Sequence, residues 1–418
     1  MNSIQSKPLV GSQIDNASST TQQEIPSWLN HLKDLQGGVI HLKGVVNGML
    51  GQPNVLVADQ LHCTITVHDM NFFRLMLQQG SLGAAESYLR AEWDVDDLVI
   101  LIRIMVRNRH RLDKVDNAFF ARISQAMLRV WYAKNKNNKD GSKRNIAAHY
   151  DLSNDFFKLF LDENLMYSSA VFESPDQSLE EASNHKLAII CDKLNLSAKD
   201  HVIEIGTGWG GFAIYAALHY GCRVTTTTIS QAQYDEATTR VNAARLSHKI
   251  QVIMQDYRDL TGKFDKLVSI EMIEAVGHQF LPQYFKTCQR LLKPNGLGLI
   301  QAITIEDTRY KIALNSVDFI KRYIFPGSFI PCNSLMINTA AEQGLKLKHL
   351  QDIGQSYALT LHEWRKRFHE ALPQVLNMGF DQRFVRMWDF YLCYCEGGFI
   401  EGAISDVHLL FENSMATE

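Results

Sequence analysis

"EIGTGWGGFA" (residues 204–213) follows a β-branched run, "HVIEI" (201–205), and leads into an apolar segment with helical spacing from about 210 to 220. Gly206, Gly208 and Gly211 match the spacing G-x-G-x-x-G. Glycines at these positions let the backbone turn tightly between strand and helix and come close to a ligand at the helix N-terminus. Strands and helices keep alternating downstream. "RVTTTTI" (223–229), a helix over 231–245, "IQVIMQD" (250–256), "FDKLVSIE" (264–271), a helix over 279–292 and "LGLIQAITI" (297–305) follow one another. With a further helix over 178–195, this rhythm predicts an α/β fold built on a parallel, doubly wound sheet.

The glycine loop alone fits nicotinamide, flavin and S-adenosylmethionine sites. Its surroundings narrow the choice. Glu204 stands two residues before the first glycine, where a carboxylate orders the loop and favours the cationic end of S-adenosylmethionine. A nicotinamide site calls for an acid at the end of the second strand, to hold the ribose diol. That strand ends "TTTTIS", with no acid before Asp235. In "QDYRDL", Asp256 stands at the end of the third strand, suited to an adenine amino group. S-adenosylmethionine is therefore the expected cofactor.

The 418 residues are 46% hydrophobic and 21% charged, with a formal net charge of −3, so no overall positive field argues for nucleic acid. Seven scattered cysteines include no CxxC pair. Neither a disulfide framework nor a metal site is expected, and a reducing cytoplasm fits best. "LVILIRIMV" (98–106) is far shorter than the roughly 20 residues a membrane span needs, so any membrane contact is expected to be peripheral.

Along the chain, residues 1–25 read as a polar, disordered tail without the apolar core of a signal peptide. Residues 26–135 form a small α+β unit: strands at "GVIHLKG" and "LHCTITVHD", then helices over 70–90, 95–109 and 116–133, with Gly80 and Gly83 marking a break. Residues 136–145 lie in a basic linker, "KNKNNKDGSKRN" (134–145), which also suits anionic headgroups. Residues 146–418 form the glycine-loop unit, with helical, aromatic-rich segments over 306–345 and 362–412 as a cap. "RLLKPNG" reads as a helix end and a turn.

"HYDLSNDFFKLFLDENLMYSSAVFE", "EIGTGWGG", "TTTTISQAQ", "QDYRDL", "EMIEAVG", "KRYIFPG" and "YALTLHEW" occur in the order found in cyclopropane-fatty-acyl-phospholipid synthases, including the mycolic acid cyclopropane synthases. The upstream "LQQGSLGAAESYLRAEWDVDDL" also resembles the N-terminal domain of the bacterial synthases, so the resemblance runs from about 40 to 412. It implies a class I, Rossmann-like methyltransferase unit with a helical cap. The implied reaction is methyl transfer from S-adenosylmethionine to the cis double bond of a phospholipid acyl chain, through a carbocation. The implied setting is the cytoplasmic face of a membrane, with a homodimer expected.

By the same resemblance Tyr167 and Ser168 contact the methionyl end of the cofactor. Gly206, Thr207, Gly208 and Gly210 form its loop. Thr228, Ile229 and Gln233 lie around the ribose and adenine, and Asp256 with Tyr257 on the adenine side. Glu274 matches the active-site glutamate and Tyr357 the tyrosine facing it. A bicarbonate held by the glutamate, a cysteine, a histidine, the tyrosine and a backbone amide is the implied base. Ile303 keeps the amide position, but Ser169 stands where the cysteine is expected and Gln301 where the histidine is expected. Neither is a general base near neutral pH. Together they either grip an oxyanion or mark a site whose proton leaves by another route, which opens methyl- or methylene-branched products besides a ring. Cys395 matches a further family cysteine and reads first as a packing residue. His149 and His278 read as a substrate-side loop residue and a surface residue. The rival readings are a coclaurine-type N-methyltransferase, which lacks the N-terminal unit, and a cofactor-binding protein without catalysis.

Overall fold

The computed structural model describes residues 24–53, 60–111, 141 and 152–414. The expected tail, the helix over 116–133, the linker and His149 lie outside the described residues. Among them, no helix is long and apolar enough to cross a membrane.

The main sheet has seven strands: β5 (His201–Ile205), β6 (Arg223–Thr228), β7 (Ile250–Met254), β8 (Phe264–Ile270), β9 (Leu292–Ile305), β10 (Leu345–Asp352) and β11 (Ile404–Asn413). Their spatial order is β10-β11-β9-β8-β5-β6-β7. Strands β5 to β9 pair in parallel, whereas β11 runs antiparallel between β9 and β10. The order reverses at β5, and in such sheets ligands bind beyond the carboxyl ends of the strands at that point. Helices cover both faces: α5 (Leu179–Lys193), α6 (Gly211–His219) and α7 (Gln231–Ala243), then α8 (Leu281–Leu291), α9 (Asp307–Leu314) and α10 (Asn333–Glu342). Helix α5 starts on a capping box, with Ser178 and Glu181 satisfying each other's backbone amides.

Two expectations need correction. The segment over 362–412 is not wholly helical, because residues 404–412 belong to β11, a strand inside the sheet. Asp406 and His408 interrupt the apolar pattern of that strand, yet both are fully buried. "KPNG" is not a free turn either. It is a bulge within β9, whose register against β8 shifts between Phe264–Leu292 and Lys266–Leu297.

The N-terminal unit is a four-stranded sheet ordered β2 (Gly48–Leu50), β1 (Gly38–Gly44), β3 (Leu61–Val67) and β4 (Trp93–Val95), with α1 (Asn71–Gln79), α2 (Ser81–Leu89) and α3 (Leu98–Arg107). The chain breaks between α1 and α2 at Gly80, whose φ of 63° suits glycine. Its apolar face joins one core with α11 (Gly354–Glu370), α12 (Leu372–Asn377) and α13 (Gln382–Ile400). Arg386 on α13 lies 3.9 Å from the centre of the Tyr88 ring and bonds Asp94 at 2.7 Å. Arg103 and Arg107 on α3 both grip Glu401, at 2.7 and 2.8 Å. Trp388 of α13 packs on Phe156 of α4 (Asn154–Lys158) and on Phe160, while Phe390 of α13 packs on Tyr88 of the N-terminal unit.

Candidate active site

A cavity of about 490 Å³ opens at the carboxyl ends of β5, β6, β8 and β9. Its cofactor end is shaped by backbone. Gly206 and Gly208 have φ of 99° and 52°, a region that disfavours side chains. A Cβ on Gly208 would meet nothing within 4 Å, so its face is open. The third glycine of the motif has a different purpose. A Cβ on Gly211 would stand 2.6 Å from the Asn164 carbonyl, so glycine there lets the 162–169 loop lie on the start of α6. Arg240 pins both strands of this junction, donating to the carbonyls of Asn164 and Trp209 at 2.9 Å.

Glu204, Thr207, Thr228, Ile229, Gln233, Asp256 and Tyr257 line this end. Glu204 accepts from Thr226 Oγ1 at 2.6 Å, and burial pushes its carboxyl up to about 8. Thr228 Oγ1 donates to Gln233 Oε1 at 2.8 Å. Asp256 takes a bidentate grip from Arg258, at 2.8 and 2.6 Å, which orients the carboxylate against the cavity wall. Gly210 lies off the wall. With φ of 85° it serves as the left-handed residue before α6 rather than as a contact. Tyr167 and Ser168 also line the cavity, Tyr167 sharing a hydrogen bond of 3.0 Å with Tyr391. Ser168 Oγ accepts from Lys186 Nζ at 2.7 Å. These residues fit S-adenosylmethionine: carboxylates for its ammonium and hydroxyls, and an open glycine wall for its backbone-like end.

The reaction end is built from buried charge. Glu271, absent from the sequence expectations, follows β8 directly and faces the cavity. Its backbone sits at φ 46°, a conformation that favours glycine. Its amide donates to the Gln301 carbonyl at 2.9 Å. Its carboxylate takes three hydrogen bonds: from the Ser169 amide at 2.7 Å, Gln301 Nε2 at 2.9 Å and the Tyr357 hydroxyl at 2.6 Å. Tyr357 thus faces Glu271, not Glu274 as expected.

Ser169 and Gln301 are fully buried and do not reach the cavity, because Glu271 stands in front of them. The Ser169 hydroxyl donates to the Ala170 carbonyl at 2.8 Å. Gln301 Nε2 also donates to Asp406 at 2.7 Å, and its Oε1 faces His408 Nε2 at 3.3 Å. Lys193 donates to the other His408 nitrogen at 3.0 Å, so His408 presents an N–H to Gln301 and fixes the amide's orientation.

Glu274 lines the cavity on a short 3₁₀ turn, Ile273–Ala275. One oxygen accepts from the Ile303 amide at 2.6 Å; the other has no partner among the described residues. Burial, with the charge of Glu271, pushes Glu274 up to about 8. Burial also raises Asp406 and Glu271, which share the Gln301 Nε2 donor. The buried Lys186 faces Glu271, Asp406 and Glu204, and desolvation lowers it to about 8. Four carboxyls against one buried lysine cannot all be ionised, so most hold protons. Glu271, with three donors, is the best placed of the four to keep its charge. Cys395 lines the cavity with a thiol raised by burial, hence protonated; His278 is exposed and away from it.

An apolar wall of Ile303, Ile305, Ile320, Phe325, Tyr391 and Phe399 completes the same cavity.

The model of the mycolic acid cyclopropane synthetase family matches residues 137–409. The chain is 36% identical over 333 residues to the tuberculostearic acid methyltransferase UfaA1 of Mycobacterium tuberculosis, covering 78% of this chain and 77% of that protein. It is 33% identical over 363 residues to the cyclopropane-fatty-acyl-phospholipid synthase of Escherichia coli K12, covering 85% and 89%. The solved mycolic acid cyclopropane synthase CmaA1, complexed with SAH and CTAB, superposes with a TM-score of 0.61 at 27% identity, over 65% of this chain and 98% of that one.

Proposed function

This chain belongs to the mycolic acid cyclopropane synthetase family of S-adenosylmethionine-dependent methyltransferases, and on that premise we propose that it methylates the cis double bond of an unsaturated acyl chain carried by a membrane phospholipid. The observation that carries this reading is one cavity that joins the glycine loop, buried carboxyls and an apolar wall. A polar small molecule would leave that wall unused, whereas an acyl chain fills it.

When bound, S-adenosylmethionine supplies an electrophilic methyl group on a sulfonium. An alkene is a weak nucleophile, so the protein's task is to hold the double bond beside that methyl and keep water out. Ile303, Ile320 and Phe325 suit the chain on either side of the double bond. The carbocation that follows lies among aromatic faces, Tyr167, Tyr391 and Tyr357, which attract positive charge, and next to carboxylates that do so more strongly. Loss of a proton from the new methyl closes a ring; loss from the chain gives a branched, unsaturated product.

Val106 and Arg109 from the N-terminal side line the same cavity, which supports an entry route for lipid past that unit. We place the enzyme at the inner face of the membrane, with phospholipid as its partner, working as a homodimer. The test is to incubate the purified protein with vesicles of cis-unsaturated phospholipid and methyl-labelled cofactor, then fragment the fatty acids by mass spectrometry. A labelled ring or branch supports the reading. Lipid that stays unlabelled, with protein that binds S-adenosylhomocysteine, sinks it.

A further inference from the structure

The family resemblance assigns a glutamate, a cysteine, a histidine, a tyrosine and a backbone amide to a bicarbonate, and at these positions every donor is already engaged within this chain. The Ser169 amide, the Gln301 side chain standing at the histidine position and the Tyr357 hydroxyl converge on the carboxylate of Glu271, at 2.7, 2.9 and 2.6 Å. The remaining amide, of Ile303, is given to Glu274 at 2.6 Å. A bicarbonate would have to displace a covalently tethered anion from its own donors. It would also have to enter beside the charged carboxylate of Glu271, against like charge. The residues present do not fit a bound bicarbonate.

Two further features set Glu271 apart. Its side chain reaches the cavity, whereas Ser169, Gln301 and Asp406 stand behind it. Its backbone occupies a left-handed conformation in which glycine would be unstrained and a glutamate is strained. A strained residue that places a carboxylate at the reacting end of a cavity points to function more than to folding.

We propose that Glu271 is the general base of this enzyme, a built-in carboxylate taking the place of bicarbonate. The inference rests on the lipid-methylating reading above. As the carbon–sulfur bond breaks and the alkene's electron pair forms the new carbon–carbon bond, positive charge is left on the acyl chain. Glu271 then takes a proton from the new methyl, one carbon removed from that charge, to give a ring, or from a chain carbon next to it, to give an alkene. The electrons of the broken C–H bond close the ring or form a new double bond, and Glu271 becomes a carboxylic acid. Its proton passes to water once product leaves. Gln301 Nε2, which donates to both Glu271 and Asp406, holds the two carboxyls in place.

Turnover of wild-type protein on phospholipid vesicles is measured in bicarbonate-stripped buffer and again with added bicarbonate. Equal rates are expected; a wild-type rate at least 10-fold lower without bicarbonate overturns the proposal. Glu271→Gly relieves the backbone strain but leaves three donors without their acceptor; the folded variant should bind S-adenosylhomocysteine within 3-fold of wild type. Its turnover without bicarbonate should fall by at least ~100-fold, the usual weight of a general base. A Glu271→Gly protein that keeps more than a tenth of wild-type turnover in that buffer also overturns it. Wild-type protein that labels no lipid under any condition sinks the functional reading instead, so the two failures are separate.

Discussion

The two ends of the cavity are made by different means. The cofactor end is a local construction. Gly206 to Gly211 lie in one loop, and Thr228, Gln233 and Asp256 follow directly on neighbouring strands. Its shape comes from backbone conformation and its polar groups are bonded nearby in sequence. The reaction end draws Ser169, Glu271, Gln301, Tyr357 and Asp406 from five separate segments, and only their packing makes them a unit. One end should therefore tolerate loss of a side-chain partner better than the other.

The sharpest way to break this contrast is Gln301→Leu. It strands Glu271 and Asp406 without their shared donor, leaving buried carboxyls uncompensated, a change that costs about 3 kcal/mol or more. A large drop in the denaturant midpoint, with turnover lost, is expected; a midpoint near wild type would mean the cluster is looser than its hydrogen bonds indicate. Tyr357→Phe is milder. Removing one hydrogen bond to a charged group, about 1.5–3 kcal/mol, should lower turnover by roughly 10- to 100-fold while S-adenosylhomocysteine binding stays within about 3-fold. At the cofactor end, Gly206→Ala forces a side chain onto φ 99° and toward Met272 at 3.2 Å. It should weaken S-adenosylhomocysteine by about 10-fold in calorimetry, at a strain of roughly 1–2 kcal/mol, and leave the melting temperature little changed.

The last comparison concerns protons. Glu204 is raised to about 8 from an ordinary 4.5, so the folded protein binds an extra proton between these values. Stability from this group is full below its unfolded value and is lost as pH rises through 8. Glu204→Gln removes the dependence, so its melting temperature relative to wild type should rise steadily from pH 5 to pH 8. Comparing the two proteins at each pH isolates Glu204 from Lys186 and His408. A constant difference would mean Glu204 is already ionised without cofactor.

Legibility in the sequence follows the same division. Periodicity and the glycine spacing announce β5 to β9 and the loop, and the residues expected around the cofactor line the cavity, Gly210 apart. "LKLKHL" (345–350) alternates as a strand should and was open to reading as β10. β11 was not, because Asp406 and His408 break its apolar run at the positions that face the buried cluster. Glu271 had a weak signal: it is the other acid of "EMIEAVG", at the carboxyl edge of a strand. Nothing local tells which of two acids three residues apart meets Tyr357. That depends on the positive φ at Glu271, which turns its side chain onto donors from far along the chain. Ser169 and Gln301 read as departures from a family pattern only while Glu271 is left out; with it, they are the donors that a resident carboxylate requires.

The placement of β11 also sets an order of events during synthesis. β11 lies between β9 and β10, both of which leave the ribosome before it, so β10 has no sheet edge to join until β11 has emerged. The five-strand parallel sheet and the glycine loop can form while Asp406 is still inside the ribosome. A nascent chain thus carries its glycine loop before its carboxyl cluster exists, and the cluster waits on the strand that brings Asp406.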